Sequence, residues 1–199
     1  MIRKLIPFYC LILIFPILSI AEIKVTSLQS SRSEIFERIL FGESDTRNVF
    51  LINDSWNVYH TSDPGKKVNI SVPAIFDGVD ILVFEKNVEL TEHQIKNNQI
   101  KIGFLGLNYG AEISVNGNII FIHYGGAAPF EISLPKDILR WDKGNRITVK
   151  INGKLDSETT IPAKQRFLFP DLSAGIIRDV YLKIVPTLSI SKVDYSYTL

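Results

Sequence analysis

Asn116-Gly117, set between two short apolar runs, constrains this chain more than any other feature. A two-residue hairpin turn whose twist matches its strands needs positive φ at both central positions, and Asn-Gly tolerates that best. Counting outward from the turn predicts Val115 opposite Asn118, Ile113 opposite Ile120, and Ala111 opposite Ile122. One face of the hairpin is then mostly apolar. The other carries Glu112, Ser114, Ile119 and Phe121, a mixed face that suits either solvent or the wall of a groove. Gly125, Gly126 and Pro129 turn the chain before Phe130 opens another alternating run.

The same two-residue period marks most of the chain from Val49 onward. Val49 and Leu51, Trp56 and Val58, and Val68, Ile70 and Val72 alternate with polar residues, the last run ending at Pro73. Asn53-Asp54-Ser55 and Asp63-Pro64-Gly65 read as turns between them. A continuous apolar run, Ile81 to Phe84, extends through Val88 and Leu90. Further strands follow at Ile100, Ile102 and Phe104, at Phe130, Ile132 and Leu134, at Ile147, Val149 and Ile151, and at Val180, Leu182 and Ile184. Residues 135–141 suit one helical turn, and 159–172 is irregular, with Pro162 and Pro170. Strands spaced roughly 8 to 15 residues apart, with no long helical period, predict an all-β sandwich.

The N-terminus reads differently. Arg3 and Lys4 precede an apolar run from Leu5 to Leu18, and Ser19-Ile20-Ala21 has the small-x-small form of a cleavage site. The run of roughly 14 residues falls short of the about 20 that span a bilayer. Residues 1–21 are therefore expected to be a signal peptide, with export to a periplasm or beyond; an uncleaved anchor is the alternative. Cys10 lies in this segment, so the mature chain would hold no disulfide, cysteine nucleophile or thiolate metal site. His60, His93 and His123 are too scattered to suggest a metal site, and no cofactor is expected. The formal charge is +1 across 199 residues, without a basic block, so neither nucleic acid nor, after cleavage, a membrane is an expected partner. Residues 22–47 form a polar lead-in, in which 33–41 reads as a short helix or an edge strand.

Four stretches, in order, resemble the N-terminal sugar-binding domain of glycoside hydrolase family 2, the β-galactosidase, β-glucuronidase and β-mannosidase group. They are Ser71-Val72-Pro73-Ala74; Gly106 to Gly117, with Ala111 and Val115-Asn116-Gly117; His123-Tyr124-Gly125-Gly126-Ala127-Ala128-Pro129-Phe130; and Ala174-Gly175-Ile176-Ile177-Arg178-Asp179-Val180-Tyr181-Leu182. The resemblance covers residues 48–186 and implies a jelly-roll β-sandwich of galactose-binding-domain type. It also implies a following immunoglobulin-like domain and a barrel that holds the catalytic carboxylates. Residues 187–199 resemble the first strand of that second domain, so the chain reads as a truncated module. The family's acid/base glutamate follows an asparagine, and no Asn-Glu pair occurs here, so no catalytic residue is assigned and no hydrolysis is expected from this chain alone.

Several residues remain as candidates for contact with a β-glycoside. Trp141, Trp56 and Tyr124 could stack on a pyranose, whose C–H face suits an aromatic plane, or could pack in the core. His123 reads first as a loop-edge histidine satisfied by backbone and second as a donor to a sugar hydroxyl. Arg178 reads first as a structural group, with Asp179 as its partner or a surface residue, and second as a sugar contact. The family position that reaches the catalytic pocket is Phe169 here, with Asp171 the nearest acid. Two other functions fit the same residues: a stand-alone exported carbohydrate-binding protein, and a structural sandwich that binds a protein partner.

Overall fold

A computed structural model describes residues 25–29, 44, 46–78, 81–126, 128–154, 173–190 and 194–197. The predicted signal segment, the 33–41 ambiguity, the irregular 159–172 stretch and Asp171 lie outside the described residues.

Among the described residues, fourteen strands carry the fold. They are β1 (Val25–Ser27), β2 (Asn48–Leu51), β3 (Trp56–His60), β4 (Val68–Ile70), β5 (Ala74–Asp77), β6 (Ile81–Val88), β7 (Asn98–Phe104), β8 (Leu107–Asn108), β9 (Gly110–Val115), β10 (Asn118–Tyr124), β11 (Phe130–Ser133), β12 (Asn145–Asn152), β13 (Ser173–Ile176) and β14 (Val180–Pro186). All pair antiparallel, in a six-stranded sheet β10-β9-β12-β6-β3-β4 and two four-stranded sheets, β11-β7-β14-β2 and β1-β5-β13-β8. The result is the expected jelly-roll type of β-sandwich.

The period-two reading places the core well. Ala111, Ile113 and Val115 of β9, Ile147, Val149 and Ile151 of β12, and Ile100, Ile102 and Phe104 of β7 are all buried in one cluster. Trp56 belongs to that cluster with no exposure, and its indole N–H donates to the Ile52 carbonyl at 2.7 Å. Of its two readings the core one holds. Asn116 also has a structural role: its amide donates to the Ile138 carbonyl at 2.7 Å, while its Oδ1 accepts from the Arg146 N–H at 3.0 Å. The buried Asn145 joins this network, bracketing Arg140 through both backbone groups at 2.8 Å. Buried amides need such complete pairing, and here it ties the hairpin tip to the start of β12.

Four further details complete the fold. The run from Val68 ends before Pro73 as expected, and a separate strand, β5, begins at once at Ala74 and pairs with β13. A helix, α1 (Glu92–Asn97), interrupts the strands; a reciprocal capping box between Thr91 and Gln94 opens it, and Ile95 anchors it in the core. Residues 135–141 hold the expected single helical turn, of 3₁₀ type, at Lys136–Ile138. From Thr187 onward the described residues form no strand, and Leu188, Ile190, Tyr195 and Tyr197 are exposed.

Candidate functional site

The hairpin departs from the counted register in one place, and the site follows from that departure. Asn118 faces Val115 and Ile119 faces Ser114, as expected, but Phe121, not Ile120, then faces Ile113. A β-bulge inserts Ile120, whose side chain packs partly buried against the core. One extra residue exchanges the two faces for the rest of the strand. Phe121 and His123 take the side of Ile113 and Ala111, whereas Ile122 and Tyr124 take the outer side with Glu112 and Gly110. Ile122, expected to point inward, is exposed.

Tyr124 therefore lies across from Gly110, where no side chain competes for the space. A Cβ at Gly110 would stand 3.4 Å from Tyr124 Cδ1, so the ring rests against the bare backbone of β9. The tyrosine is nonetheless 60% exposed. It borders an open cleft of about 300 Å³ on the outer surface of β9 and β12, with Tyr109, Glu112, Ile122, Lys150, Asn152 and Lys154. Asn152 Oδ1 accepts from the Lys154 N–H at 2.9 Å, which fixes the turn leaving β12 and holds Lys154 at the cleft. An aromatic face ringed by amide, carboxylate, phenol and ammonium groups can stack on an apolar ligand face while bonding its hydroxyls.

The other sequence candidates do not share this cleft. His123 lies on the opposite face of β10, its imidazole stacked on Phe130 at 3.9 Å between ring centres and 17° between planes. Its Nε2 is buried beside the Gly125 backbone and makes no hydrogen bond of good geometry. Burial holds its pKa below the ordinary value, against a weaker opposing influence of the Gly125 backbone. Trp141 is 55% exposed but belongs to another cleft, with Glu89, Thr91, Asp142 and Lys143, and the Lys96 ammonium lies 5.8 Å from its ring centre. That cleft adjoins the Asn145 end of β12 and the Tyr124 cleft the Asn152 end, so the two are separated by roughly 23 Å at about 3.3 Å per residue. Arg178 is exposed and lays its Cγ and Cδ within 3.2 Å of where a Cβ at Gly106 would be. Asp179 is neither a surface residue nor seen paired with Arg178. It is 2% exposed and accepts from the Asn53 amide at 2.7 Å, while Asn53 Oδ1 accepts from the Val180 N–H at 2.9 Å.

The four quoted motifs converge on one small sheet. Ala74 and Ile75 pair with Ile176 and Gly175, which pair on their other side with Leu107 and Asn108. Leu107 N–H then donates to the Gly126 carbonyl at 3.0 Å, and Ile177 N–H to the Gly106 carbonyl at 3.1 Å. Their shared work is to lock the sandwich, and the Tyr124 cleft opens beside that junction. Sequence reasoning singled out Tyr124 alone among the cleft residues. Glu112 was visible as an outward hairpin residue, but Tyr109, Lys150, Asn152 and Lys154 carry no local signal.

Fold and cleft together define an antiparallel β-sandwich module with an aromatic-polar surface site. No protein-family model matches the chain. Its sequence is 31% identical over 105 residues to a Formosa agariphila protein that bears a β-glucuronidase name, covering 52% of this chain and 12% of that protein. It is 29% identical over 112 residues to a Thermoanaerobacter pseudethanolicus β-galactosidase, covering 56% of this chain and 15% of the enzyme. The fold matches the β-D-glucuronidase structure from Dictyoglomus thermophilum with a TM-score of 0.59 at 21% identity, over 74% of this chain and 29% of that one. The chain is thus distantly homologous to a limited segment of the family 2 β-glucuronidases and β-galactosidases, and it spans only a small part of these relatives' length.

Proposed function

We propose that this chain is the non-catalytic sugar-binding module of an exported family 2 glycoside hydrolase and contacts carbohydrate at the Tyr124 cleft. The observation that carries the reading is the Tyr124 ring resting against Gly110 beside hydrogen-bonding groups, an arrangement suited to a pyranose. The homology supports the enzyme family. In the whole enzyme, immunoglobulin-like and barrel domains would supply the catalytic carboxylates. The exposed Leu188, Ile190, Tyr195 and Tyr197 would meet those domains, and the same side chains suit the alternative of a protein-binding sandwich.

The test is calorimetric titration of the chain with galactosides, glucuronides and mannosides, in wild type and Tyr124→Ala. Removal of an exposed ring should leave thermal stability within about 0.5 kcal/mol, yet weaken binding about tenfold, the equivalent of roughly 1.4 kcal/mol. Saccharide binding that is indifferent to Tyr124→Ala would move the site elsewhere. Absence of binding across all three series would defeat the sugar-binding reading.

A further inference from the structure

We infer that the Tyr124 cleft selects saccharides that carry an anionic substituent, a carboxylate or a sulfate ester, through Lys150 and Lys154. This rests on the sugar-binding reading above and adds the class of ligand.

The observation is where lysine ammonium groups are left without partners. Among the described residues, every lysine except Lys143, Lys150 and Lys154 reaches a carboxylate or a carbonyl oxygen with its ammonium group. Two of those three line this one cleft. Lys150 sits directly across from Glu112 in the β12–β9 register, yet no ion pair joins them. The cleft thus presents two ammonium groups against one carboxylate, a net cationic wall beside the aromatic ring. Lys150 and Asn152 point to the same outer face, about 7 Å apart along the strand. The Asn152 side chain, by accepting from the Lys154 N–H, turns the chain so that the second ammonium returns to that cleft. An anionic group on a pyranose stacked against Tyr124 would meet both lysines and gain charge-assisted hydrogen bonds that a neutral sugar cannot form. Lys150 and Lys154 are exposed, so the preference is screened as the Debye length shrinks with salt.

The experiment is calorimetry on the full chain with three oligosaccharide series of matched backbone: neutral, uronate-bearing and sulfated. Each is titrated at low and at moderate ionic strength. The expected result is at least tenfold tighter binding of an anionic series than of the neutral one at low salt, falling severalfold as salt rises. Uronate and sulfated arms tell which anion the cleft takes. The double variant Lys150→Gln/Lys154→Gln should abolish the preference, Glu112→Gln should enlarge it, and Lys143→Gln, outside the cleft, should leave it intact. Circular dichroism confirms that each variant is folded. Equal affinity for neutral and anionic series, or a preference that survives the double lysine variant, overturns the inference while leaving sugar binding standing. Failure of every series to bind overturns both.

Discussion

Glu131→Ala is the substitution whose effect the structure specifies most fully. Glu131 of β11 and Tyr181 of β14 both pair with Gly103 of β7, from opposite sides. The Tyr181 ring crosses the bare glycine, where a Cβ would stand 2.1 Å from Cζ, and its hydroxyl donates to Glu131 at 2.8 Å. Lys183 donates to the same carboxylate oxygen at 2.8 Å, and Lys101 lies 3.9 Å from the other. Burial pushes the Glu131 pKa up, but hydrogen bonds from Lys183 and Tyr181 and the charges of Lys183 and Lys101 outweigh it and hold the carboxyl below its usual range. Loss of a hydrogen bond to a charged acceptor costs about 1.5–3 kcal/mol. The partly buried lysine pairs add no more than about 0.5 kcal/mol each after screening. Glu131→Ala should therefore cost about 2–3 kcal/mol in urea denaturation near neutral pH. Because the folded pKa is depressed, the carboxylate's contribution is complete above its unfolded value of about 4.3 and is lost as pH falls through the folded one. The gap between wild type and Glu131→Ala should thus narrow below about pH 4. A gap under about 0.5 kcal/mol at neutral pH, or one unchanged on acidification, would refute the reasoning.

Gly175→Ala should destabilise by about 2–4 kcal/mol, because its Cβ would lie 2.3 Å from the Ala74 carbonyl oxygen, which is backbone and cannot swing aside. An unshifted thermal melt would show that the strands can part at no cost. Trp56→Phe should cost about 1–3 kcal/mol, since it keeps an aromatic ring but strands the Ile52 carbonyl, and chemical denaturation measures the loss. His123→Phe keeps a ring against Phe130 and removes the unpaired Nε2, so stability should hold or rise by up to about 1 kcal/mol. The His123 pKa is depressed by burial, so its contribution is present above about pH 6.5 and lost as pH falls through the folded value. Wild type should accordingly lose ground to His123→Phe on mild acidification, and parallel pH–stability curves would contradict that.

Much of the sandwich was legible in the residues themselves. Asn116-Gly117 specified a turn that few dipeptides can make, and alternation along β7, β9 and β12 separated inward from outward side chains without reference to any partner. The helix opened by the Thr91–Gln94 capping box was not read from the sequence, because six residues are too short to declare themselves by periodicity. The bulge at Ile120 was not readable. Nothing near Ile120 distinguishes it from its neighbours, and whether it pairs or packs inward depends on the core it meets. That single displacement turned Tyr124 outward and His123 inward, reversing what a regular ladder would give.

The cleft itself shows where local reading ends. Local chemistry determined the turns, the strand faces and the motifs that lock β5, β13 and β8 together, since these depend on φ preferences and on a period of two. Strand order β10-β9-β12 decided that Tyr124, Gly110, Lys150 and Lys154 share one surface. Antiparallel neighbours are chosen by the burial of inner faces, and the outer faces are then carried into register. The site is made of those outer residues, which contribute little to choosing the fold and so leave no mark of their meeting in the linear chain.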